Sequence, residues 1–147
     1  MLLTEQIEQD LVAGLKTKDE TCVSTLRMLK SALHNKEIAT KKELDDTDVI
    51  SVIQSQIKSR RDSVMMYEKG NRKELAEKEN NEIAILQKYL PTQMSEDEIK
   101  AMVNKVITDT SASAISDMGK VMGVIMPRVK GKADPALISK IVKESLS

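Results

Sequence analysis

Tryptophan and phenylalanine are missing from this 147-residue chain, and only two tyrosines, Tyr67 and Tyr89, occur. That scarcity argues against an all-β domain, which leans on aromatic and β-branched side chains. A core built here must use Leu, Ile, Val, Ala and Met. A single cysteine, Cys22, excludes an intramolecular disulfide and any zinc site made of several thiolates. Net charge is zero, so the basic excess of a protein that coats nucleic acid is absent, and any RNA contact must be a local patch. No apolar run approaches the roughly 20 residues of a membrane span. The opening MLLTEQIEQDLV carries acids and lacks the basic start of a secretory signal. A soluble, cytoplasmic protein without a membrane partner is the expectation.

What remains is rich in helix formers, with charged residues at 31% to solvate helix faces. Leu3, Ile7, Leu11 and Leu15 recur every four residues and predict one helix face, with Thr4 as a candidate cap. Thr17-Lys-Asp-Glu20 has the capping-box pattern. It opens a second amphipathic segment through Cys22, Leu26, Leu29 and Leu33 to about Ala39. Residues 40–46 read as a polar linker, with Asp46 or Thr47 capping a third helix lined by Val49, Ile50, Ile53, Ile57 and Val64. Gly70 is placed to end that helix in the left-handed conformation. Asn71-Arg-Lys-Glu74 then resembles a capping arrangement for a fourth helix carrying Leu75, Ile83, Leu86 and Leu90.

Pro91 disfavours helical geometry at Leu90 and marks the best boundary in the chain. Ser95-Glu-Asp-Glu98 predicts a capped fifth helix with Ile99, Met102, Val103, Val106 and Ile107. Residues 110–114 read as a loop. A sixth helix from about Asp117 carries Met118, Val121, Met122 and Ile125. Asp134-Pro135 starts a last helix as an N-cap followed by the proline-tolerant first position. The expected fold is all-α and multihelical in two subdomains, 1–92 with about four helices and 93–147 with about three.

Side chains suited to catalysis lack the neighbours they need. His34 has Lys30 and Ile38 as its helical i±4 neighbours, neither of which makes it a base. Cys22 falls on an apolar stripe, which favours burial over reactivity. Glu96, Asp97 and Glu98 are consecutive, so they do not converge on a metal, and they suit the first turn of a helix. Gly119-Lys120 lacks the upstream glycine and downstream hydroxyl of a phosphate loop. No catalytic residue, metal or cofactor is expected. Lys58, Arg60 and Arg61 form a basic ridge on the third helix, either a solvated face or a secondary phosphate contact.

The unusual segment is residues 117–135, with three of the five glycines, Gly119, Gly123 and Gly131, and two of the three prolines. Gly119 and Gly123 share a helix face and make a flat strip for close backbone approach, beside a row of Met118, Met122 and Met126. Pro127 should bend or end the helix. Lys120, Arg128, Lys130 and Lys132 are unopposed by any acid between Met118 and Ala133. They run up to a helix N-terminus, which offers amides to anions, although Asp134 competes for them. Two roles fit: tight helix packing with solvated charges, or a surface for an anion or RNA backbone.

Residues 117–134, together with Lys88-Tyr-Leu-Pro-Thr-Gln-Met-Ser95 and Thr25-Leu-Arg-Met-Leu-Lys-Ser-Ala32, resemble the YqeY family over essentially the whole chain. That family is similar in its C-terminal part to the tail of the B subunit of the tRNA-dependent amidotransferase (GatB). The resemblance implies a two-subdomain helical fold and a link to tRNA through Lys120, Arg128, Lys130 and Lys132. It also implies partners: tRNA or another structured RNA, or an amidotransferase or synthetase subunit docked on the glycine strip. Carbon–nitrogen ligase activity with glutamine as amido donor is implied by family name only. The kinase-like part that activates the tRNA-linked carboxylate is missing, so a non-catalytic adaptor is expected.

Overall fold

The computed structural model describes residues 2–147. Among them are seven α-helices, one turn of 3₁₀ helix and no strand. The chain packs as two compact units, Met1–Leu90 and Pro91–Ser147.

The first unit holds α1 (Leu3–Thr17), α2 (Glu20–Thr40), α3 (Asp46–Lys69) and α4 (Lys73–Gln87). Its core gathers Ile7 and Leu11 from α1, Leu26, Leu29 and Leu33 from α2, Val49, Ile53 and Ile57 from α3, and Ile83 and Leu86 from α4. The expected α1 face holds at Ile7 and Leu11 but not at Leu15, which is 48% exposed. Steps of four residues drift about 40° each around a helix of 3.6 residues per turn. Gly14 is buried instead, and a Cβ there would sit 3.3 Å from Val23 Cγ2 and 3.4 Å from Cys22 Sγ. The missing side chain lets α1 lie close to α2. Leu75, expected on the apolar side of α4, is 40% exposed; Ala76 is buried in its stead.

The helix ends differ from expectation by one to three residues, α4 stopping at Gln87 rather than reaching Leu90. Thr17 does not open α2. It ends α1, its hydroxyl donating to the Ala13 and Gly14 carbonyls, and Lys18 takes the left-handed conformation. Asp19 is the cap, accepting from the Cys22 amide at 3.1 Å. Asp45, not Asp46 or Thr47, caps α3: it accepts from the Asp48 amide at 2.8 Å, and Asp48 accepts from the Asp45 amide in return. The bond from the Asp45 amide holds the Asp48 carboxyl below its ordinary range. Asp46 caps a different helix, its Oδ1 accepting from the Leu3 amide at 3.0 Å, so Thr4 is not needed there. Between α3 and α4 the left-handed residue is Asn71, with φ 56°, while Gly70 has φ −88°. Asn tolerates that region, so the glycine is not required for it. Arg72 stands at the start of α4 without a side-chain cap.

Tyr89 is buried, and its hydroxyl donates to Asp10 Oδ2 at 2.5 Å. Burial, then the hydrogen bond to Asp10 and its charge, push the phenol well above its ordinary value.

The second unit holds α5 (Glu96–Thr110), the 3₁₀ turn Ile115–Asp117, α6 (Met118–Val129) and α7 (Pro135–Leu146). Ile99, Val103 and Val106 of α5, Val121 and Ile125 of α6, and Ile138, Ile141 and Val142 of α7 form its core. Ser95 caps α5 by accepting from the Glu98 amide at 3.2 Å. Pro127 does not end α6, which continues to Val129. Pro127 and Gly123, whose carbonyl loses its helical donor to the proline, both lie on the exposed side, where water replaces the lost bond.

Candidate functional site

The basic residues of the C-terminal segment separate into three situations. Lys120, near the start of α6, donates from Nζ to the Thr110 carbonyl at 3.1 Å and so caps the C-terminal end of α5. Lys130 is exposed at the end of α6. Arg128 and Lys132 line one open cleft of about 530 Å³. The structure therefore brings two of the four cations together. Among the described residues neither is held by an ion pair.

The cleft has a built frame. Val129 ends α6, and Gly131 follows with φ 78°, a conformation that side chains other than Asn or Asp resist. The Lys132 amide donates back to the Val129 carbonyl at 2.8 Å, which closes the turn. Opposite it runs the stretch Thr92-Gln93-Met94. Gln93 Nε2 donates to the Gly131 carbonyl at 2.8 Å and to the Pro91 carbonyl at 2.6 Å. The Met94 amide donates to the Lys132 carbonyl at 2.9 Å. Residues 38 positions apart are thus tied together, and Arg128 and Lys132 are held beside Thr92 and Glu98. Met94 and Met102, half-buried against the core, supply the apolar part of the lining. Gln93 is a positioning residue not singled out among the candidate sites above. Its sequence signals are its place in the Pro91–Ser95 boundary and in the Lys88–Ser95 stretch that carries part of the family resemblance.

The N-terminus of α7 is not open to an anion, because Asp134 Oδ1 accepts from the Ala136 amide at 3.0 Å. Near the other end of the segment, Asp117 accepts from the Ser113 and Ala114 amides at 3.0 and 3.3 Å. Those two bonds hold its carboxyl below the ordinary range.

The glycine strip is open. A Cβ on Gly119 or Gly123 would meet nothing within 4 Å. Tight packing within the chain is therefore not what the two glycines serve, since the core side of α6 is carried by Val121, Ile125 and Val129. Met118 and Met122 sit half-buried against that core. An exposed mid-helix glycine costs about 1 kcal/mol relative to alanine. Gly123→Ala should accordingly raise the unfolding free energy by about 1 kcal/mol in urea denaturation. A loss of stability would mean that the glycine is locally required.

The N-terminal ridge does not form as expected. Arg60 is buried at 7% exposure and is paired with Glu82 and, at 3.3 Å, with Glu79. It turns into the helical unit because two carboxylates of α4 face it there. Lys58 and Arg61 remain on the surface. His34 is exposed. Cys22 is half-buried against the core, its thiol pushed up by burial and then by Asp19. Among the described residues no three His, Cys, Asp or Glu side chains gather as a metal site, and no helix is long and apolar enough to cross a membrane.

The family model for YqeY, described as Yqey-like protein, matches residues 4–146. The chain belongs to the YqeY family. Among curated relatives of this YqeY chain is the Altered inheritance of mitochondria protein 41, mitochondrial, of Kluyveromyces lactis. It is 37% identical over 132 residues, covering 87% of this chain and 67% of that protein. The Pyrenophora tritici-repentis protein of the same name is 30% identical over 143 residues, covering 95% and 78%. The Lachancea thermotolerans one is 36% identical over 111 residues, covering 73% and 59%. These names overturn the expected cytoplasmic compartment: all three relatives are called mitochondrial, which points to mitochondria instead.

Proposed function

We propose that this YqeY-family chain is a non-catalytic RNA-associated adaptor whose C-terminal unit holds RNA backbone, with tRNA the class that the GatB-tail resemblance implies. The observation that supports it most is the pair Arg128 and Lys132, exposed, without an ion pair among the described residues and lining one cleft, with Lys130 beside them on the surface. Contacts of this kind position a nucleic acid without reading its bases. Lys120 is a lesser contributor, because its ammonium is engaged by the Thr110 carbonyl.

Three phosphate contacts give a log–log salt slope of about −2 to −3, at about −0.7 to −0.9 per contact. The test is fluorescence anisotropy of a labelled tRNA transcript across a salt series. The wild type is compared with Arg128→Glu/Lys130→Glu/Lys132→Glu and with Lys120→Glu. The triple variant should lose at least about a hundredfold in affinity, roughly 3 kcal/mol, and flatten the salt slope. Equal binding by wild type and triple variant removes the assignment.

A second role, as a protein-interaction module for an amidotransferase or synthetase subunit, is favoured by the open Gly119/Gly123 face. It predicts RNA-free capture of such a subunit that survives high salt and is lost on Gly119→Leu.

A further inference from the structure

The cleft that carries the RNA reading contains more than cations, and the additional groups point to what it accepts. A ridge that tracks duplex backbone needs only exposed positive charge. Here Arg128 and Lys132 share a concave space with Thr92, Glu98, Met94 and Met102. Its volume of about 530 Å³ lies inside the roughly 300–1,000 Å³ typical of small-ligand pockets. A convex duplex would meet only the rim of such a space.

Each wall suits a different part of one ligand. Arg128 and Lys132 offer N–H donors to a phosphate, and the Thr92 hydroxyl is a further donor. Met94 and Met102 are polarizable and adaptable, and methionine sulfur makes favourable contacts with aromatic rings. Glu98 is acceptor-only when ionised, and its carboxylate is not engaged by another residue among the described ones. In a cleft meant for bare phosphate that carboxylate would be adverse. It becomes useful if the ligand carries N–H or O–H donors as well as a phosphate. A ribose hydroxyl or an exocyclic amino group is such a donor.

We propose that the cleft receives a single unpaired nucleotide as a unit. Its phosphate lies between Arg128 and Lys132, its base on the Met94/Met102 surface, and a hydroxyl or amino group on Glu98. The frame is preorganised, since the Gln93–Gly131 and Met94–Lys132 hydrogen bonds fix its two sides relative to each other. This rests on the RNA reading for its biological ligand. The recognised chemistry, a nucleoside monophosphate, is shared by an unpaired residue within RNA and by the free mononucleotide. RNA-binding proteins commonly splay out unpaired bases and stack them on aromatic or arginine side chains; here the two methionines take the place of the aromatic surface.

The test titrates isotope-labelled full-length protein with inorganic phosphate, with AMP and CMP, with a short single-stranded RNA and with a blunt RNA duplex, followed by amide chemical shifts. The nucleotides should shift residues 92–94, 98, 102, 128 and 132 and bind about tenfold more tightly than inorganic phosphate. Single-stranded RNA should shift the same set, and the duplex should shift only the rim cations Arg128 and Lys132, leaving Met94, Glu98 and Met102 unmoved. Glu98→Gln should strengthen inorganic phosphate binding and narrow the nucleotide preference to about threefold or less. Met102→Ser should remove the preference while leaving phosphate binding unchanged. Glu98→Gln alters a surface side chain without touching the core, so it decides the matter if Met102→Ser fails to fold.

Nucleotides that bind no better than phosphate, or a preference unaffected by Glu98→Gln, overturn the proposal. In that case tRNA binding that still depends on Arg128 and Lys132 leaves the backbone reading standing. Nucleotide binding at the cleft with no affinity for tRNA or single-stranded RNA has the opposite meaning. It overturns the adaptor function and assigns the cleft to a free mononucleotide.

Discussion

Arg60→Ala should destabilise the N-terminal unit by about 3–5 kcal/mol, the range for removing one partner of a buried ion pair. The effect comes from what is left behind. Glu82 is 4% exposed, and its carboxylate would lose the guanidinium that faces it across the α3–α4 pair. Glu79, also paired with Arg60, would then add like-charge repulsion to the loss. Set against a total stability of about 5–15 kcal/mol, this is a large fraction. The pair itself contributes little over an apolar replacement, because desolvation of both ions offsets most of their attraction. The Arg60 guanidinium is not fully satisfied either: among the described residues its buried Nε has no hydrogen-bond partner, and one terminal nitrogen faces Met28 Sδ at 3.6 Å. Arg60→Leu/Glu82→Leu should therefore lie within about 1 kcal/mol of wild type. Urea denaturation of the three proteins at neutral pH checks both statements. A single variant that loses under about 1 kcal/mol would show that the ion pair is dispensable.

Arg60 also shows where sequence patterning runs out. Lys58, Arg60 and Arg61 look alike along the chain, and helical periodicity alone puts Arg60 near the apolar side between Ile57 and Val64. What decides its role is a pair of carboxylates 19 and 22 residues away on another helix. No local pattern contains that information. The helices themselves were legible, since Val49, Ile53, Ile57 and Ile99, Val103, Val106 repeat at a spacing only a half-buried helix uses. Their ends were less so. Asp45, Asp46, Thr47 and Asp48 are all competent caps, and the winner is the residue whose backbone leaves helical geometry first. Sequence rules rank residue types, not the entry angle that tertiary packing imposes. The same limit applied at Gly70 and Asn71. For the cleft, the basic run was visible, but its division was not. Arg128 and Lys132 converge because Gly131 turns the chain between them. Lys120 is diverted by a carbonyl at the end of another helix. Gln93, which ties the turn down, acts across 38 residues, and its neighbourhood marks a boundary without showing what Gln93 binds.

Ile125→Ala should abolish the fold of the C-terminal unit while sparing the N-terminal one. Ile125 is 1% exposed and belongs to the second core together with Val103, Val121 and Ile138. Truncating a buried isoleucine to alanine costs about 2–5 kcal/mol. A unit the size of Pro91–Ser147 rarely has a core supplying more than about 3–5 kcal/mol. The loss is thus comparable to everything that holds α5, α6 and α7 together. Hydrogen exchange resolved by residue reads the outcome. Amides of α5, α6 and α7 should exchange as in an unfolded chain, and those of α1 to α4 should keep their protection, since their core shares no buried residue with the second. The cleft should disappear with its frame, so RNA affinity should fall as far as it does on reversing Arg128, Lys130 and Lys132, although no charge has changed. Gly123→Ala, two residues away on the exposed side of the same helix, moves stability in the opposite direction and serves as the control. Protection lost in both units at once would show that they fold as one. Protection kept in α5 to α7 would show that the second core holds together without Ile125.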